Sequence, residues 1–417
     1  MKISRAVIAA FLLLVGITAC SSDDNDSASG GTDDGGDTSS DSGECDASDP
    51  VTAGVIFSMS GPAAAIGEDA NTGGEFAVET INEQGGILGR CLETIVKDDG
   101  GDPTKAGQVA RELVDQEEVD FVIGPFLSSP TGAVLEITGP AGIPHATLSS
   151  LADAGDASKY PYVFGAEVTT DVQAEDFVNY AKNNDLDSLG IIAVNNALGI
   201  DAAEFIEEGA AENDITIIGP EFHETGATNM TTQMTKLKEG NPDAVVSLNT
   251  AAPDTAAVIK ARNALEWDVP ILGFSSTGFA AVTADVGEEG MNDVYAGQLY
   301  WRANREADGT GPSDPEANQW WLDFKEFTGT DPLTDQIQMA AGTYDAFMMM
   351  ATAINEVGEI DPDGIKEYLE TNGYDAIRST YEFTPESHLA IGSDDLAWVV
   401  ASSFNDGTHE IAVRSEG

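Results

Sequence analysis

From Val51 onward, short apolar runs of strand length alternate with longer stretches of helical periodicity, and this alternation is the strongest constraint on the fold. Strands separated by helices form βαβ units, whose sheets are parallel and covered by helices. The strand candidates are TAGVIFSM (52–59), LETIVKDD (92–99), DFVIGPF (120–126), SLGIIAVN (188–195), DITIIGPEF (214–222), DAVVSLN (243–249), PILGFSS (270–276) and DVYAGQLYW (293–301). Between them, EDANTGGEFAVETINEQGG spaces Phe76, Ala77 and Ile81 along one helical face and stops at Gly85 and Gly86. Asp102 and Pro103 supply a cap and a first-turn proline for a helix through Ala106, Val109, Ala110 and Leu113. About 250 residues of such units exceed one comfortable sheet, so the fold class is α/β with two open lobes. Ligands bind at the carboxyl ends of strands in open α/β sheets, and two such ends facing one another make a cleft that closes by a hinge.

Composition narrows the function classes. The chain has 417 residues, with 73 acidic against 18 basic side chains and a formal net charge of −55. No general basic surface exists to neutralise phosphates, which argues against nucleic acid as a partner. Hydrophobic residues still make up 41%, close to a globular composition, so the acidity coats a folded body.

The first 20 residues place Lys2 and Arg5 before an apolar run from Ala6 to Ile17, the order of a signal peptide. The run ends Ile17, Thr18, Ala19, Cys20, which resembles the bacterial lipobox, whose cysteine is acylated and becomes the new N-terminus. Cys20 is therefore the expected lipidation site, a stable membrane anchor that does not span; the alternative is an ordinary signal peptide with a chance cysteine. Residues 21–50 hold eight Ser, five Gly and ten Asp or Glu with no Lys or Arg, a composition that reads as a flexible, disordered tether. The rest is expected to be extracytoplasmic. Cys45 and Cys91 then form an even pair in an oxidising compartment, and a disulfide is the simplest pairing, against two free buried thiols.

The common signatures of chemistry are missing: no G-x-S-x-G elbow, P-loop, G-x-G-x-x-G fingerprint or H-E-x-x-H occurs. His145, His223, His388 and His409 are scattered singly, without metal spacing. Asp98, Asp99 and Asp102 share one loop but lack the ordered oxygen spacing of a calcium loop, so a solvated loop with a helix cap is the expected reading. No metal or cofactor is expected, and the chain does not read as an enzyme. A hydroxyl cluster is more suggestive: Ser128 and Ser129 follow DFVIGPF, while Thr147, Ser149 and Ser150 follow the short strand IPHATL. Hydroxyls and free N–H groups at a helix N-terminus suit the carboxylate or amide of a small ligand, whereas on the plainer alternative they only cap helices.

Several stretches carry a family likeness: IFSMSGPAAAIGEDANTGGEFAVETINEQGGILGR, KDDGGDPTKA, VDFVIGPFLSSPTGAV, AGIPHATLSS, YPYVFGAEVTTDVQAEDFVNY, GNPDAVVSLN, GTYDAFMMMATAI and LAWVVASSF. In this order the chain resembles the branched-chain amino acid (leucine, isoleucine, valine) binding proteins of ABC transporters over everything after the tether. The resemblance implies the type I periplasmic binding protein fold: two Rossmann-like lobes with three crossovers, the ligand enclosed between them. The first lobe would comprise 51–168 plus 301–381 and the second 169–300 plus 382–417, with crossovers near Val168, Trp301 and Glu382. Family positions holding the ligand's carboxylate and ammonium fall on Ser128, Ser149 and Leu151, the last a departure because the pattern carries Thr. The second-lobe carboxylate position falls on Ser275, and the pocket's aromatic positions fall on Ile66, Leu198 and Thr250. The function implied is capture of a small amino acid or amino-acid-like solute and its delivery by a monomer to an ABC permease with ATPase subunits. Ser275 and Thr250 would also suit a solute without an ammonium, such as an amide, a urea-like compound or an organic acid. A ligand sensor for a signalling partner and an extracellular hydrolase are the other classes.

Overall fold

Strand β1 (Asp46–Phe57) runs beside β2 (Arg90–Asp98) from its first residue, Asp46 pairing with Arg90 before a register shift brings Val51 against Leu92. The structure, a computed structural model, describes residues 45–61, 63–249, 251–299, 314–329, 337–403 and 411–414. Residues 46–50, read from composition as the end of the tether, are thus in the sheet. Their anchors are non-local: Cys45 and Cys91 are joined in a disulfide with Cα atoms 4.8 Å apart, and Arg90 donates to the carbonyls of Asp49 (2.7 Å) and Pro50 (2.9 Å). Cys20 and the remainder of the tether lie outside the described residues.

The first sheet has five parallel strands in the order β2-β1-β3-β4-β5, with β3 Phe121–Ile123, β4 His145–Thr147 and β5 Val163–Gly165. The helices α1 (Ala64–Glu83), α2 (Pro103–Asp115) and α3 (Ser128–Ala141) connect them. The second sheet has the order β14-β13-β10-β9-β8-β6-β7. Its parallel part comprises β6 (Ser188–Val194), β7 (Thr216–His223), β8 (Ala244–Leu248), β9 (Ile271–Gly273) and β10 (Val294–Leu299), while β13 (Leu396–Val400) and β14 (Ile411–Arg414) add antiparallel. Read from β7 to β10 this repeats the strand order of the first sheet, so each lobe has a topological switch point, between β1 and β3 and between β6 and β8. The second-lobe helices are α4 (Thr170–Asn183), α5 (Ala197–Glu212), α6 (Thr231–Gly240), α7 (Ala252–Ala264) and α8 (Ala280–Val286).

After β10 the chain returns to the first lobe. Helices α9 (Pro315–Thr328), α10 (Ile337–Val357) and α11 (Pro362–Asn372) bury Trp320, Trp321, Phe347, Ile354 and Leu369 in one core with Phe57, Phe121 and Phe164. α10 lies directly on α1 because position 73 is glycine; a Cβ there would sit 2.1 Å from the Ala340 carbonyl oxygen. Two-residue strands β11 (Tyr374–Asp375) and β12 (Thr380–Tyr381) follow.

The last passage to the second lobe comes later than Glu382. Phe383, Ala390 and Ile391 remain in the first core, His388 stacks on Phe164 with ring centroids 4.5 Å apart, and Leu389 bridges Gly165. The chain leaves between Ile391 and β13 because this segment serves as an extra strand-like edge beside β5. The middle passage, expected near Trp301, lies outside the described residues. Among the described residues no helix is long and apolar enough to cross a membrane.

Candidate ligand cleft

At the carboxyl end of β3 the chain turns through Gly124 and Pro125 into α3. Buried groups hold that turn: His145 bonds the Gly124 carbonyl through Nε2 and Thr138 through Nδ1 (3.1 Å), and the Pro125 carbonyl accepts from Thr147 Oγ1 (3.0 Å) and the Leu148 N–H (3.1 Å). Burial pushes the His145 pKa down to about 4, against the pull of the Gly124 carbonyl, so its ring is neutral at physiological pH. Thr147 therefore does not present its hydroxyl to a ligand; it is a fully buried part of the scaffold.

The turn delivers Ser128 and Ser129 as the first two residues of α3. The cap residue Leu127 has no side-chain acceptor and Pro130 has no N–H, so the polar capacity of this helix start rests on the two serines. Ser128 is half-buried and Ser129 exposed, and neither hydroxyl bonds another described residue. Ser149, buried at the end of β4, accepts the Leu151 N–H at 3.2 Å and keeps its own proton to donate. The Ser150 carbonyl accepts both the N–H and the hydroxyl of Thr170, each at 3.1 Å, which docks the start of α4 on this loop. Leu151 turns away from the polar groups and packs against Leu135, Ala154, Tyr160 and Val163.

That docking brings in residues that strand-end reasoning did not select. Thr169 is the cap of α4 but makes no side-chain cap bond; its hydroxyl and Asp171 Oδ1 are buried and have no hydrogen-bond partner among the described residues. Gln173 donates to the Val168 carbonyl at 3.3 Å. The available signal was T-T-D-x-Q at a helix start directly after an expected crossover, but Thr and Asp there read equally well as ordinary capping residues.

The second-lobe rim is different. Leu198 is half-buried at the start of α5, where Asn196 caps the Gly199 N–H at 3.0 Å. His223 at the end of β7 bonds Asn249 Oδ1 at 2.7 Å, Asn249 Nδ2 donates to Ser247 at 3.0 Å, and the Asn249 carbonyl accepts from Ser276 at 2.7 Å. Ser275 opens the turn after β9, and its carbonyl accepts from Gln298 Nε2 at 2.9 Å. Thr250 lies outside the described residues. Ile66, in the first turn of α1, is half-buried against the first-lobe core. Ser128, Ser129, Ser149 and Ser150 are thus brought together at one edge of the first sheet, while Leu198 and Ser275 sit at the carboxyl ends of β6 and β9 in the second.

The acidic loop is scaffold. Asp98 accepts from the N–H groups of Met59, Ser60 and Gly100 and from Ser60 Oγ and Lys105 Nζ, at 2.6–3.2 Å. Burial alone would raise its pKa, but these donors hold it at about 2. Asp99 accepts from Ser58 and Gly101 through Oδ1, its Oδ2 being buried without a partner among the described residues, and Asp102 caps α2 through the Lys105 N–H at 2.9 Å. Among the described residues no cluster of His, Cys, Asp and Glu is arranged to hold a metal.

Residues 50–403 match the family model described as periplasmic binding protein. The chain is similar to the leucine-, isoleucine-, valine-, threonine- and alanine-binding protein of Pseudomonas aeruginosa, 23% identical over 346 residues that cover 82% of this chain and 88% of that one. Among solved structures it resembles a type 1 periplasmic binding protein from Bordetella pertussis, with TM-score 0.72 and 23% identity over 84% of this chain and 96% of that one. It also resembles the isoleucine-bound branched-chain amino acid transporter substrate-binding protein of Streptococcus pneumoniae, with TM-score 0.70 and 21% identity over 88% and 98% of the two chains. With two doubly wound lobes of matching strand order and a family match across nearly the whole folded body, the chain belongs to the periplasmic binding protein family and has its type I fold.

Proposed function

We propose that the protein is an exported, lipid-anchored solute receptor, not an enzyme. It encloses a small amino acid or amino-acid-like solute between its lobes and hands it to an ABC permease driven by ATPase subunits. The observation that carries this reading is the pair of buried, unpartnered acceptors at the start of α4, the Thr169 hydroxyl and Asp171 Oδ1, beside the donors of the first-lobe edge. Unpaired buried polar groups are costly in an empty protein, and a ligand that completes them recovers that cost on binding. Hydroxyl protons of Ser128 and Ser149 would meet a ligand carboxylate, and Asp171 would meet its ammonium, a role that Ser275 cannot fill.

Thermal-shift and calorimetric titration with L-leucine, L-isoleucine and L-valine, each beside its deaminated acid, tests the reading. Stabilisation by the amino acids, weakened by Asp171→Asn, is the expected result. Stabilisation by the deaminated acids or small amides alone would instead favour the second reading, a solute without an ammonium, which Ser275 supports. Cys20 acylation is checked by the mass of the mature N-terminal peptide, and Cys20→Ala should release the protein from membranes. Genes for a permease and an ATPase beside its own would separate transport from a sensor role.

A further inference from the structure

Two of the passages between the lobes are met by consecutive residues, the buried cation of Arg378 at one and Ser379 at the other. Arg378, between β11 and β12, lays a fully buried side chain across Gly342 of α10, where a Cβ would come within 2.7 Å of its Cζ. Its Nη1 donates to Glu167 Oε2 at 2.8 Å, its Nε to Asp345 Oδ2 at 3.1 Å, and its Nη2 to Tyr381 Oη at 2.7 Å and to the Ala166 carbonyl. Glu167 Oε1 in turn accepts the Val168 N–H at 3.0 Å and Gln338 Nε2 at 3.2 Å. The guanidinium therefore grips residues 166–168, the last before the chain passes to α4. Burial works against its charge, but Tyr381, Glu167 and Asp345 outweigh that and keep it protonated. One residue on, Ser379 donates to Asp395 Oδ1, and Asp395 Oδ2 accepts the Gly392 N–H at 3.0 Å. That is the other described passage, just before β13.

We propose that Arg378 and Ser379 form a hinge clamp: they hold the Ala166–Val168 and Gly392–Asp395 passages at a common anchor on α10 and so set the resting angle between the lobes. Arg378 is a positioning residue on this view. It touches no ligand group but fixes where Thr169 and Asp171 stand. The inference rests on the two-lobed fold and not on the identity of the solute. Affinity in a closing receptor includes the free energy of closure, so loosening the anchor changes affinity without changing a contact.

Glu167→Gln and Ser379→Ala keep volume or remove one hydroxyl, and each is compared with the parent chain in the absence of added solute. Hydrogen exchange should rise about tenfold or more at amides 166–170 in Glu167→Gln and at 392–395 in Ser379→Ala, while amides of α10 change little, and the radius of gyration from solution scattering should shift. Exchange that rises evenly over the whole first lobe, or no change at either passage, overturns the proposal. L-isoleucine serves as the binding probe: a change in Kd of several-fold is expected in both variants, and if the parent does not bind it, the solute reading fails while the exchange result still decides the clamp.

Discussion

The carboxyl edges of the two sheets have the same strand order but use their polar groups differently. At the first edge Ser128, Ser129 and Ser149 keep hydroxyl protons that no described residue takes, and the adjoining start of α4 keeps acceptors that no donor meets. At the second edge His223, Asn249, Ser247 and Ser276 are committed to one another, while Thr277 Oγ1 and Gln298 Oε1 are buried without a partner among the described residues. Strand topology thus places polar residues at both edges without deciding their use. A polar cluster that has already satisfied itself is a rigid wall, whereas an unsatisfied group gains when a solute arrives.

The largest way to separate the lobes is covalent. The disulfide closes a loop with a sequence separation of 46 in the first lobe, and removing it with Cys45→Ser and Cys91→Ser should cost about 4 kcal/mol there. Urea unfolding followed by probes in each lobe should show the first lobe's transition move alone; coincident, unshifted transitions would refute this.

Acid should act next, and again on the first lobe. His145 has its folded pKa depressed to about 4 from an unfolded value of 6.5, so the unfolded chain binds the extra proton. Its contribution is intact above pH 6.5 and is lost as pH falls toward 4, at most about 3 kcal/mol. A His145→Gln variant should flatten the stability curve between those values, and an unchanged slope would contradict the assignment.

Single side chains then sharpen the contrast. Asn249→Ala removes the side-chain partner of His223 and Ser247 in the second wall and should cost about 2 kcal/mol of stability, read by chemical denaturation. Ser128→Ala should leave stability within about 0.5 kcal/mol and weaken the solute that stabilises the parent chain by about tenfold in titration calorimetry. The reverse pattern would mean that the roles of the two edges are exchanged. The smallest effect belongs to Asp69 on α1, whose carboxyl is raised to about 6 by burial and by Glu68, with one oxygen buried and unpartnered. A raised acid favours the folded state only while protonated, so Asp69→Asn should melt slightly higher than the parent at pH 7.5. That gap should close as pH falls from 6 toward 4.

Most of the fold was legible because its signals are local. SLGIIAVN and DAVVSLN each contain the strand they indicate, TAGVIFSM covers the second half of β1, and the Asp102-Pro103 cap opens α2 as spacing requires. Misplaced boundaries share one cause. Residues 46–50 are polar and 383–391 follow an apparent hinge, yet both belong to the first lobe through distant partners: Cys91 and Arg90 for one, Phe164 and Gly165 for the other. In the site, the serines at strand ends could be chosen from sequence, but the burial of Thr147 against Pro125 and the turning of Leu151 into a side cluster could not.

By itself, then, the sequence determined the alternation of strands and helices, the acidic exterior and which polar residues stand at the strand ends, since periodicity, composition and turn chemistry act over a few residues. Only the tertiary structure decided which of those residues are free to bind. Whether a hydroxyl or carboxylate is satisfied depends on partners far away in the chain, as Arg378 shows by reaching back 211 positions to Glu167.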